Sequence, residues 1–456
     1  MQSSPPALVW FRQDLRLADN PALAAAADRP VLPVYVLDDA AAGHWAPGGA
    51  GRWWLHHSLK ALGAALAELG APLLLVRGRA EIVIPALADA VGATEVFAGQ
   101  LYEPWARERD RRVAEALEAA GRKLQLATSS LLREPSKVRS GSGKPYAVYT
   151  PFAKMVAALG DPDQPLPAPA RLQGVAAPPP GEALTDWHLL PDRDWAADFP
   201  AVWTPGEAGA AARLAGFVDG PVRDYATQRN DPGVDGSSRL SPHLHWGEVS
   251  PRQVWWAVRA AIPGEAVPGA PAWPFLSEVL WREFSYHLLW HRPELPEVPL
   301  RERFATFPWA PDAALLRAWQ RGRTGYPVVD AGMRQLWRHG WMHNRVRMIT
   351  ASLLVKHLLQ PWQAGAAWFW DTLVDADLAS NSASWQWVAG SGSDAAPYFR
   401  VFNPILQGEK FDPTGRYVRR FVPELARLPD AYVHRPWEAP DAVLRAAGVV
   451  LGRDYP

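Results

Sequence analysis

Four segments of the 456-residue chain combine residue types that bind planar or anionic ligands. In the first, Tyr225 precedes the run SSRLS at 237–241, which heads a predicted helix. Two adjacent hydroxyls and the exposed backbone N–H groups of a helix start would bind an anion such as a phosphate. In isolation, however, a Ser pair is better explained as a plain helix cap.

The second segment, WPFLSEVLWREF at 273–284, starts a helical face that carries Glu278, Trp281, Arg282 and Ser285. A carboxylate beside an indole is how a pocket holds a nucleobase, by hydrogen bonding and stacking. The alternative is an ordinary ion pair between Glu278 and Arg282, with Trp281 in the core. The spacing alone leaves both interpretations open.

The third segment, at 324–352, places Asn344 and Met348 one helical turn apart, with Arg345 and Arg347 pointing elsewhere. Residues one turn apart share a helix face, so this pair would contact a common partner. A helix with a basic face explains the segment equally well.

The fourth segment, at 371–399, contains two carboxylates, an amide and two indoles: Asp375, Asp377, Asn381, Trp385 and Trp387. If 377–388 is helical, Asn381 and Trp385 share a face and can touch the same planar ligand. Paired aspartates also suggest a metal, but no His or third carboxylate stands at ligand spacing. We therefore expect no metal site.

Short apolar runs alternate with helical patterns in residues 7–130, which predicts a doubly wound α/β domain with a parallel, Rossmann-like sheet. Asp19 or Asn20 followed by Pro21 is a typical helix start. No G-x-G-x-x-G follows the first strand, so we expect no dinucleotide bound there in the usual way. The predicted strands are 7–11, 31–37, 72–76, 95–98 and 123–127, and the predicted helices are 21–27, 52–69, 81–91 and 105–120.

Composition divides the chain into a domain at 1–130, a connector at 131–205 and a larger all-α domain at 206–456. Proline leaves the connector little room for regular structure, apart from a short ordered piece at 148–152.

Between 301 and 420 there are 15 Lys and Arg against 9 Asp and Glu, a net charge of +6 in a chain whose total is zero. Such a basic face suits a phosphate backbone, although an ordinary solvated surface would look the same.

Composition also excludes several classes of protein. With 48% hydrophobic and 21% charged residues, the chain is globular and neither disordered nor fibrous. Without cysteine it has no disulfide, thiolate metal site or Cys nucleophile. We see no signal peptide and no apolar run of the roughly 18 residues that span a membrane, so we expect a cytoplasmic location. We also expect a monomer. The 24 Trp residues exceed what cores need.

In this order, the segments resemble the photolyase/cryptochrome flavoprotein family. The resemblance runs from LVWFRQDLRL at 8–17 to FNPILQGEKFD at 402–412, and the last three segments match as long strings. It implies an N-terminal α/β domain, a connector and a C-terminal helical domain that holds FAD. By motif position, the FAD contacts would be Tyr225, Ser237, Ser238, Arg239, Leu240, Ser241, Phe275, Glu278, Arg282, Asn344, Arg347, Asp375, Asp377 and Asn381.

Within that set, the resemblance pairs Arg347 with Asp375 near the isoalloxazine and puts Asn381 opposite flavin N5. An amide there adds no negative charge beside an anionic reduced flavin, which favours FADH⁻. The family's electron-hopping positions, from the flavin outwards to the surface, are held here by Trp385, Trp362 and Trp309.

Substrate residues separate the branches of the family. The cradle for a cyclobutane pyrimidine dimer corresponds to Glu278, Trp281, Asn344, Met348 and Trp387. The (6-4) enzymes carry histidines where Asn344 and Met348 stand here. Plant cryptochromes usually have Asp in place of an amide at flavin N5, and signalling cryptochromes add a long tail that this sequence lacks. Further DNA contacts would be Arg229, Arg345 and Gln407.

Two departures from the family pattern affect the ligand sites. Phe275 stands where the family usually has a flavin-side Trp, with Trp273 two residues earlier. Trp105 and Ala106 replace the Asn-Glu pair of folate-binding bacterial enzymes, yet RWWLHHSL at 52–59 resembles plant-cryptochrome-like photolyases, which bind methenyltetrahydrofolate. We therefore favour methenyltetrahydrofolate over 8-hydroxy-deazaflavin as the antenna chromophore, and the absence of an antenna is a further alternative.

The resemblance implies light-driven repair of cyclobutane pyrimidine dimers in UV-damaged DNA. Excited FADH⁻ would donate one electron to a flipped-out dimer, while the protein supplies positioning and electrostatics. The alternative is a cryptochrome-type blue-light photoreceptor, which would bind the same flavin, perform no repair and act through partners. Single-strand-specific repair is a third possibility.

Overall fold

The computed structural model of the chain describes residues 4–264, 268–270, 272–394 and 400–456. Its N-terminal part contains a parallel sheet with the strand order β3-β2-β1-β4-β5. In this order the direction of winding reverses between β1 and β4, as in doubly wound sheets. The strands are β1 (Ala7–Phe11), β2 (Pro30–Leu37), β3 (Leu74–Arg77), β4 (Glu95–Gly99) and β5 (Lys123–Ala127).

Strand β1 lies in the middle of the sheet and is buried on both faces. Val9 and Phe11 point to one face, and Leu8 and Trp10 point to the other. Because side chains alternate along a strand, a strand that is covered on both faces has to be apolar throughout. The sequence therefore shows β1 as an unbroken apolar run.

Helices cover both faces of the sheet, which confirms the predicted α/β class. Asn20 caps the first helix, since its side chain accepts a hydrogen bond from Leu23 N at 3.0 Å. The strand predicted at 72–76 begins two residues later than expected, because Pro72 has no N–H to donate to a neighbouring strand. The helices are Pro21–Ala26, Asp39–Ala42, Gly49–Glu68, Ala80–Ala90 and Pro104–Ala119.

The connector is more ordered than its proline content predicts. Its helix Tyr149–Ala158 extends well beyond the short piece expected at 148–152, and it packs against the helix Trp273–His291. A two-residue strand, Gln173–Gly174, pairs with β2. Most of the other connector residues have no regular secondary structure, apart from turns and the short 3-10 segments Pro135–Lys137, Leu184–Trp187 and Phe199–Ala201.

The C-terminal half is helical, and the described residues beyond Gly174 contain no strand. Helix Trp273–His291, here called the central helix, lies in the first of two cores. Helix Leu378–Ala389 joins the cores, because Ala379 packs into the first and Trp385 into the second. The other helices are Glu207–Asp219, Pro221–Gln228, Ser241–His245, Pro251–Ala261, Ala313–Gln320, Pro327–His339, Asn344–Ser352, Trp362–Thr372, Pro404–Phe411, Arg416–Phe421 and Asp441–Ala447, with a π-helical turn at Leu353–His357.

The two halves meet closely between the loop after β1 and the loop that contains Gly247. A Cβ at Gly247 would lie 2.1 Å from the backbone oxygen of Gln13, and the φ of this residue is +68°. Only glycine fits there. Buried Arg16 donates to Gly247 O at 2.9 Å, and the buried carboxylate of Asp19 pairs with Arg252 at 2.8 Å. These contacts fix the sheet relative to the helices. Among the described helices, none is long and apolar enough to cross a lipid bilayer.

Candidate functional site

The central helix carries Glu278 and Trp281 about one turn apart, as the sequence predicts. The Glu278 carboxylate accepts a hydrogen bond from the guanidinium of Arg229. The alternative ion pair with Arg282 is wrong, because that guanidinium reaches instead to Ser130 O, at 2.6 Å. Burial raises the pKa of Glu278, and the charge of Arg229 opposes that shift.

Trp281 stacks on an aromatic ring that the sequence analysis missed. The ring of Tyr149, from the connector helix, lies 3.6 Å from the indole between centroids, at an interplanar angle of 6°. Tyr149 is buried, whereas Trp281 stays partly exposed. The signal available in the sequence was an aromatic piece at 148–152 within a proline-rich segment.

The helix that begins at Asn344 brings a second polar surface towards Glu278. Arg345 was expected to point away from Met348, but its guanidinium lies 3.7 Å from the Met348 sulfur. Residues three apart are neighbours on a helix, which explains the contact. Arg345 also donates to Asn230 Oδ1, at 3.1 and 2.6 Å. Its charge acts to lower the pKa of Glu278, so both residues face one site.

Arg347 and Asp375 form the ion pair that the resemblance implies, through two hydrogen bonds of 3.1 and 2.8 Å. The same guanidinium donates from Nε to Met342 O at 2.8 Å, and Asp375 is buried. With its plane fixed by three hydrogen bonds, the Arg347 guanidinium would present its charge to a ligand in one orientation.

Asp377 combines a structural role with a position beside this pair. Its carboxylate caps its helix by accepting from Ser380 N at 2.7 Å, and it accepts a hydrogen bond from the Tyr286 hydroxyl. The His245 ring lies 3.7 Å away. Burial alone would raise the pKa of Asp377, but these neighbours and the charge of Arg282 hold it below its usual value. The carboxylate is therefore ionised.

Asn381 and Trp385 lie four residues apart on the helix Leu378–Ala389, which closely matches the helix predicted at 377–388. Asn381 Nδ2 donates to Ala366 O at 3.2 Å, which holds the amide in place. Trp385 is buried and packs tightly over Gly365, where a Cβ would lie 2.1 Å from the indole.

The tryptophans expected to carry electrons lie in or beside the second core. Trp362 is buried at the start of a helix that packs against the helix of Trp385, and Trp309 is partly exposed. Trp385 and Trp362 are thus equally buried, and electron transfer from Trp309 inwards stays a prediction. A further indole, Trp319, which the sequence analysis did not single out, lies 6.2 Å from Trp385 between ring centroids.

The turn at 237–241 combines hydroxyls with a buried guanidinium. Arg239 has a φ of +49°, so the chain turns sharply there. One of its terminal nitrogens pairs with Asp235 at 2.9 Å, while its buried Nε has no hydrogen-bond partner among the described residues. Burial lowers the pKa of Arg239. Because an unpaired buried N–H calls for an acceptor, this donor set fits the pyrophosphate of FAD.

Phe275 lies in an aromatic cluster of the first core. Its ring centroid is 5.3 Å from that of Tyr225 and 4.5 Å from that of Phe217. Trp273 lies instead against Trp255, at 6.3 Å. Phe275 is therefore held by core contacts, and its contact with the cofactor stays a prediction.

Trp387 and Gln407 are the remaining residues expected at the DNA. The guanidinium of Arg400 lies 5.8 Å from the Trp387 ring centroid. The side-chain oxygen of Gln407 is buried and has no hydrogen-bond partner in the described part of the chain. Residues 395–399, the end of the fourth segment, lie outside the described residues. Within the described ranges, no group of three His, Asp or Glu side chains could hold a metal ion.

A cleft opens at the carboxyl ends of β1 and β2, where parallel α/β sheets commonly bind ligands. Its cavity volume is about 80 Å³, and it is partly open to solvent. Rings and charged groups share its wall: Arg12, Tyr35, Glu103, Trp105, Arg109 and Trp370. This mixture suits a planar ligand that carries charge.

The RWWLHHSL motif at 52–59 lies beside this region, on the helix Gly49–Glu68. Trp53 and Trp54 are both buried in the core that joins the sheet to the helical half. Trp54 Nε1 donates to the buried Glu248 at 3.0 Å. The two indoles therefore stabilise the junction between the halves.

Comparison with known proteins agrees with this architecture. Residues 7–170 match the family model described as DNA photolyase, and residues 275–456 match the FAD binding domain of DNA photolyase. The chain is 49% identical to the deoxyribodipyrimidine photo-lyase of Agrobacterium fabrum, over 99% of its own length and 94% of that protein. It is 39% identical to Cryptochrome-1 of Arabidopsis thaliana, over 98% of its own length and 67% of that protein.

Among solved structures, a bacterial class III photolyase from Agrobacterium tumefaciens superposes with a TM-score of 0.96 at 49% identity. The match covers 100% of this chain and 94% of that chain. Sequence and structure thus agree over nearly the full length, and the chain belongs to the DNA photolyase/cryptochrome family.

Proposed function

We propose that the protein is a deoxyribodipyrimidine photolyase, which uses light to split cyclobutane pyrimidine dimers in UV-damaged DNA. The observation that carries this proposal is the wall of the central helix, where Glu278 and the partly exposed Trp281 lie about one turn apart. An indole can stack on a flipped-out base while a carboxylate hydrogen-bonds its edge. The Agrobacterium relative, at 49% identity, is named for this activity.

FAD, bound in its reduced form, supplies the light-excited electron that splits the dimer. Arg239 and the hydroxyls at 237–241 hold its phosphates, because the buried Nε of Arg239 needs an acceptor. Arg347 holds its charge near the ring system, with its orientation set by Asp375. Asn381 contributes a neutral amide, which adds no negative charge beside an anionic flavin.

Arg229 prepares Glu278 for the dimer. Its guanidinium bonds Oε1 of the carboxylate, so Oε2 can accept a hydrogen bond from the N3–H of a pyrimidine. The positive charge of Arg229 also opposes the burial that raises the pKa of Glu278. Trp281 stacks on the flipped bases, and Trp387 forms the other indole wall. Arg345 and Gln407 contact the DNA backbone beside this pocket.

We assign the antenna chromophore to the cleft at the carboxyl ends of β1 and β2. Tyr35 and Trp105 offer rings for stacking, and Arg12 and Arg109 line the cleft as partners of the buried Asp110. We favour methenyltetrahydrofolate over 8-hydroxy-deazaflavin because the RWWLHHSL motif at 52–59, which resembles folate-binding photolyases, lies beside this cleft. The protein acts as a cytoplasmic monomer. Residues 1–130 bind the antenna chromophore, residues 131–205 connect the two domains, and residues 206–456 bind the flavin and the DNA.

The second candidate is a cryptochrome-type photoreceptor, because the chain is also 39% identical to an Arabidopsis cryptochrome. A photoreceptor would keep the flavin contacts but would not need Trp281 and Glu278 to bind a dimer. Illumination of the wild-type protein with dimer-containing duplex DNA separates the two functions. A photolyase restores the thymines under blue or near-UV light, and a photoreceptor leaves the dimers intact.

Replacement of Trp281 by Ala should weaken binding of dimer-containing DNA by about 1–3 kcal/mol, the usual scale for loss of base stacking. Trp290→Ala is the matched control, since it removes the same ring from the far end of the same helix, where Arg107 covers it at 3.8 Å. Titration of a labelled dimer duplex measures both affinities. Unaltered dimer affinity in Trp281→Ala would exclude this pocket.

Binding to DNA should depend on salt although the net charge of the chain is zero. The basic surface within 301–420 motivates this expectation, and log affinity should fall linearly with log salt concentration. Arg345→Ala should reduce the slope by about one, the effect of one lost phosphate contact. Arg111→Ala is the control, because Arg111 is paired with Glu108 and Glu115 on the α/β domain. Equal slopes for all three proteins would place the DNA away from Arg345.

Replacement of Trp385 by Phe should stop photoreduction without stopping repair. Phe keeps a ring of similar shape but is harder to oxidise, so oxidised variant protein should stay yellow under blue light with a thiol donor. After reduction with dithionite, the same variant should repair dimers close to the wild-type yield. Trp255→Phe, in the other core, serves as the control and should photoreduce normally. Normal photoreduction in Trp385→Phe would reveal another electron route, and Trp319 is the indole next to it.

The purified protein should release a second chromophore besides FAD. We expect absorption spectra before and after denaturation to reveal a folate, and Trp105→Ala to lose it while FAD content stays at the wild-type level. The FAD content of the same variant serves as the internal control, because the proposed FAD site lies in the helical half. Full retention of the second chromophore in Trp105→Ala would exclude this cleft, and release of a deazaflavin would overturn the folate assignment.

A further inference from the structure

The stacked pair of Tyr149 and Trp281 joins the connector to the wall of the proposed dimer pocket. The two rings are nearly parallel, with 3.6 Å between centroids and 6° between planes. Tyr149 is 9% exposed, while the indole keeps an exposed surface. That exposed surface lies on the parts of the indole that Tyr149 does not cover.

Hydrogen bonds fix the Tyr149 ring relative to the helix that carries Trp281. Its hydroxyl donates to Ser277 O at 2.8 Å and lies 2.5 Å from Ser277 Oγ. Ser277 stands about one turn before Trp281 on the central helix. The ring is thus held at both ends: its hydroxyl on the helix backbone and its Cα on the connector.

The connector itself is held against the central helix on either side of Tyr149. Before it, Tyr146 N donates to His287 Nε2 at 2.9 Å. After it, the Phe152 ring packs against Phe284, with 5.2 Å between centroids. Tyr149 therefore has little freedom to move away from the indole.

We propose that Tyr149 is a positioning residue for dimer recognition: it holds the Trp281 indole in the orientation that a flipped pyrimidine stacks on. This role rests on the proposed photolyase function. An indole on a pocket wall loses side-chain freedom when a base stacks on it, and that loss weakens binding. A ring already stacked on its other face has lost this freedom beforehand, so the site is preorganised.

The test compares dimer affinity among Tyr149 variants loaded with FAD. Tyr149→Leu removes the flat ring and should raise the dissociation constant for a dimer duplex about 3- to 10-fold, the scale of one aromatic pair. Tyr149→Phe keeps the ring and should restore most of the affinity. Affinity for undamaged duplex should be the same in the wild type and in both variants. When enough Tyr149→Leu protein is present to bind all of the dimer duplex, the bound dimer should still be repaired.

A double-mutant cycle separates positioning from general packing. In a Trp281→Ala background, Tyr149→Leu should cause no further loss of dimer affinity, because there is no indole left to orient. Met155→Ala is the matched control, since it removes a side chain that packs the same connector helix on the first core and that has no part in holding Tyr149, and its dimer affinity should equal that of the wild type. If Tyr149→Leu does not retain FAD, Tyr149→Met is tested in its place, because Met fills a similar volume without a flat ring.

The outcomes separate the inference from the function on which it rests. Wild-type affinity in Tyr149→Leu, or an undiminished loss in the Trp281→Ala background, overturns the positioning role alone. A wild-type protein that does not prefer dimer-containing duplex overturns the proposed function together with this role.

Discussion

The buried carboxylate of Glu283 fixes the connector on the central helix, and the geometry of the site depends on this contact. It accepts hydrogen bonds from the backbone N–H groups of Leu132 and Arg133, at 2.9 and 3.1 Å. The neighbouring Arg282 donates to Ser130 O at 2.6 Å. Burial raises the pKa of Glu283 to about 7, and the charge of Arg282 and the two backbone donors oppose that rise. A buried donor or acceptor left without a partner costs about 1–3 kcal/mol, which makes any other register of connector and helix unfavourable.

The central helix also carries the proposed dimer-binding residues, which precede Glu283 in the sequence. Glu278 and Trp281 are the residues that we propose for the wall of the dimer pocket, and the anchored connector stacks Tyr149 on the indole. Arg229, which directly follows the helix Pro221–Gln228, reaches Glu278 and gives the half-buried carboxylate a counter-charge. The close backbone contact between Gly247 and Gln13 then fixes the sheet and its cleft relative to the helical half. Recognition of the substrate and integrity of the fold therefore depend on one set of buried polar contacts.

Sequence patterns predicted the parts of this structure that local spacing determines. The β1 strand, the Asn20 cap and the helix that carries Asn381 and Trp385 all follow from periodicity or capping chemistry. The contacts that complete the site did not follow, because they join residues far apart in the chain. Glu278 has Arg282 at helical spacing, yet its partner is Arg229, 49 positions away. Tyr149 lies in the piece at 148–152 that was expected to be ordered, but its stacking partner Trp281 is 132 positions away and is brought to it only when the connector packs on the central helix.

Light-driven repair is tested most directly by the number of dimers that are split per absorbed photon. The protein is reduced beforehand and saturated with dimer-containing duplex. Chromatographic quantification of dimers and restored thymines, with illumination as the only variable, gives this number. We expect bound dimers to disappear in the light with an equal gain of thymine pairs, and to persist in the dark. Dimers that stay bound and intact under illumination would contradict it, because the pocket would then bind the lesion without repairing it.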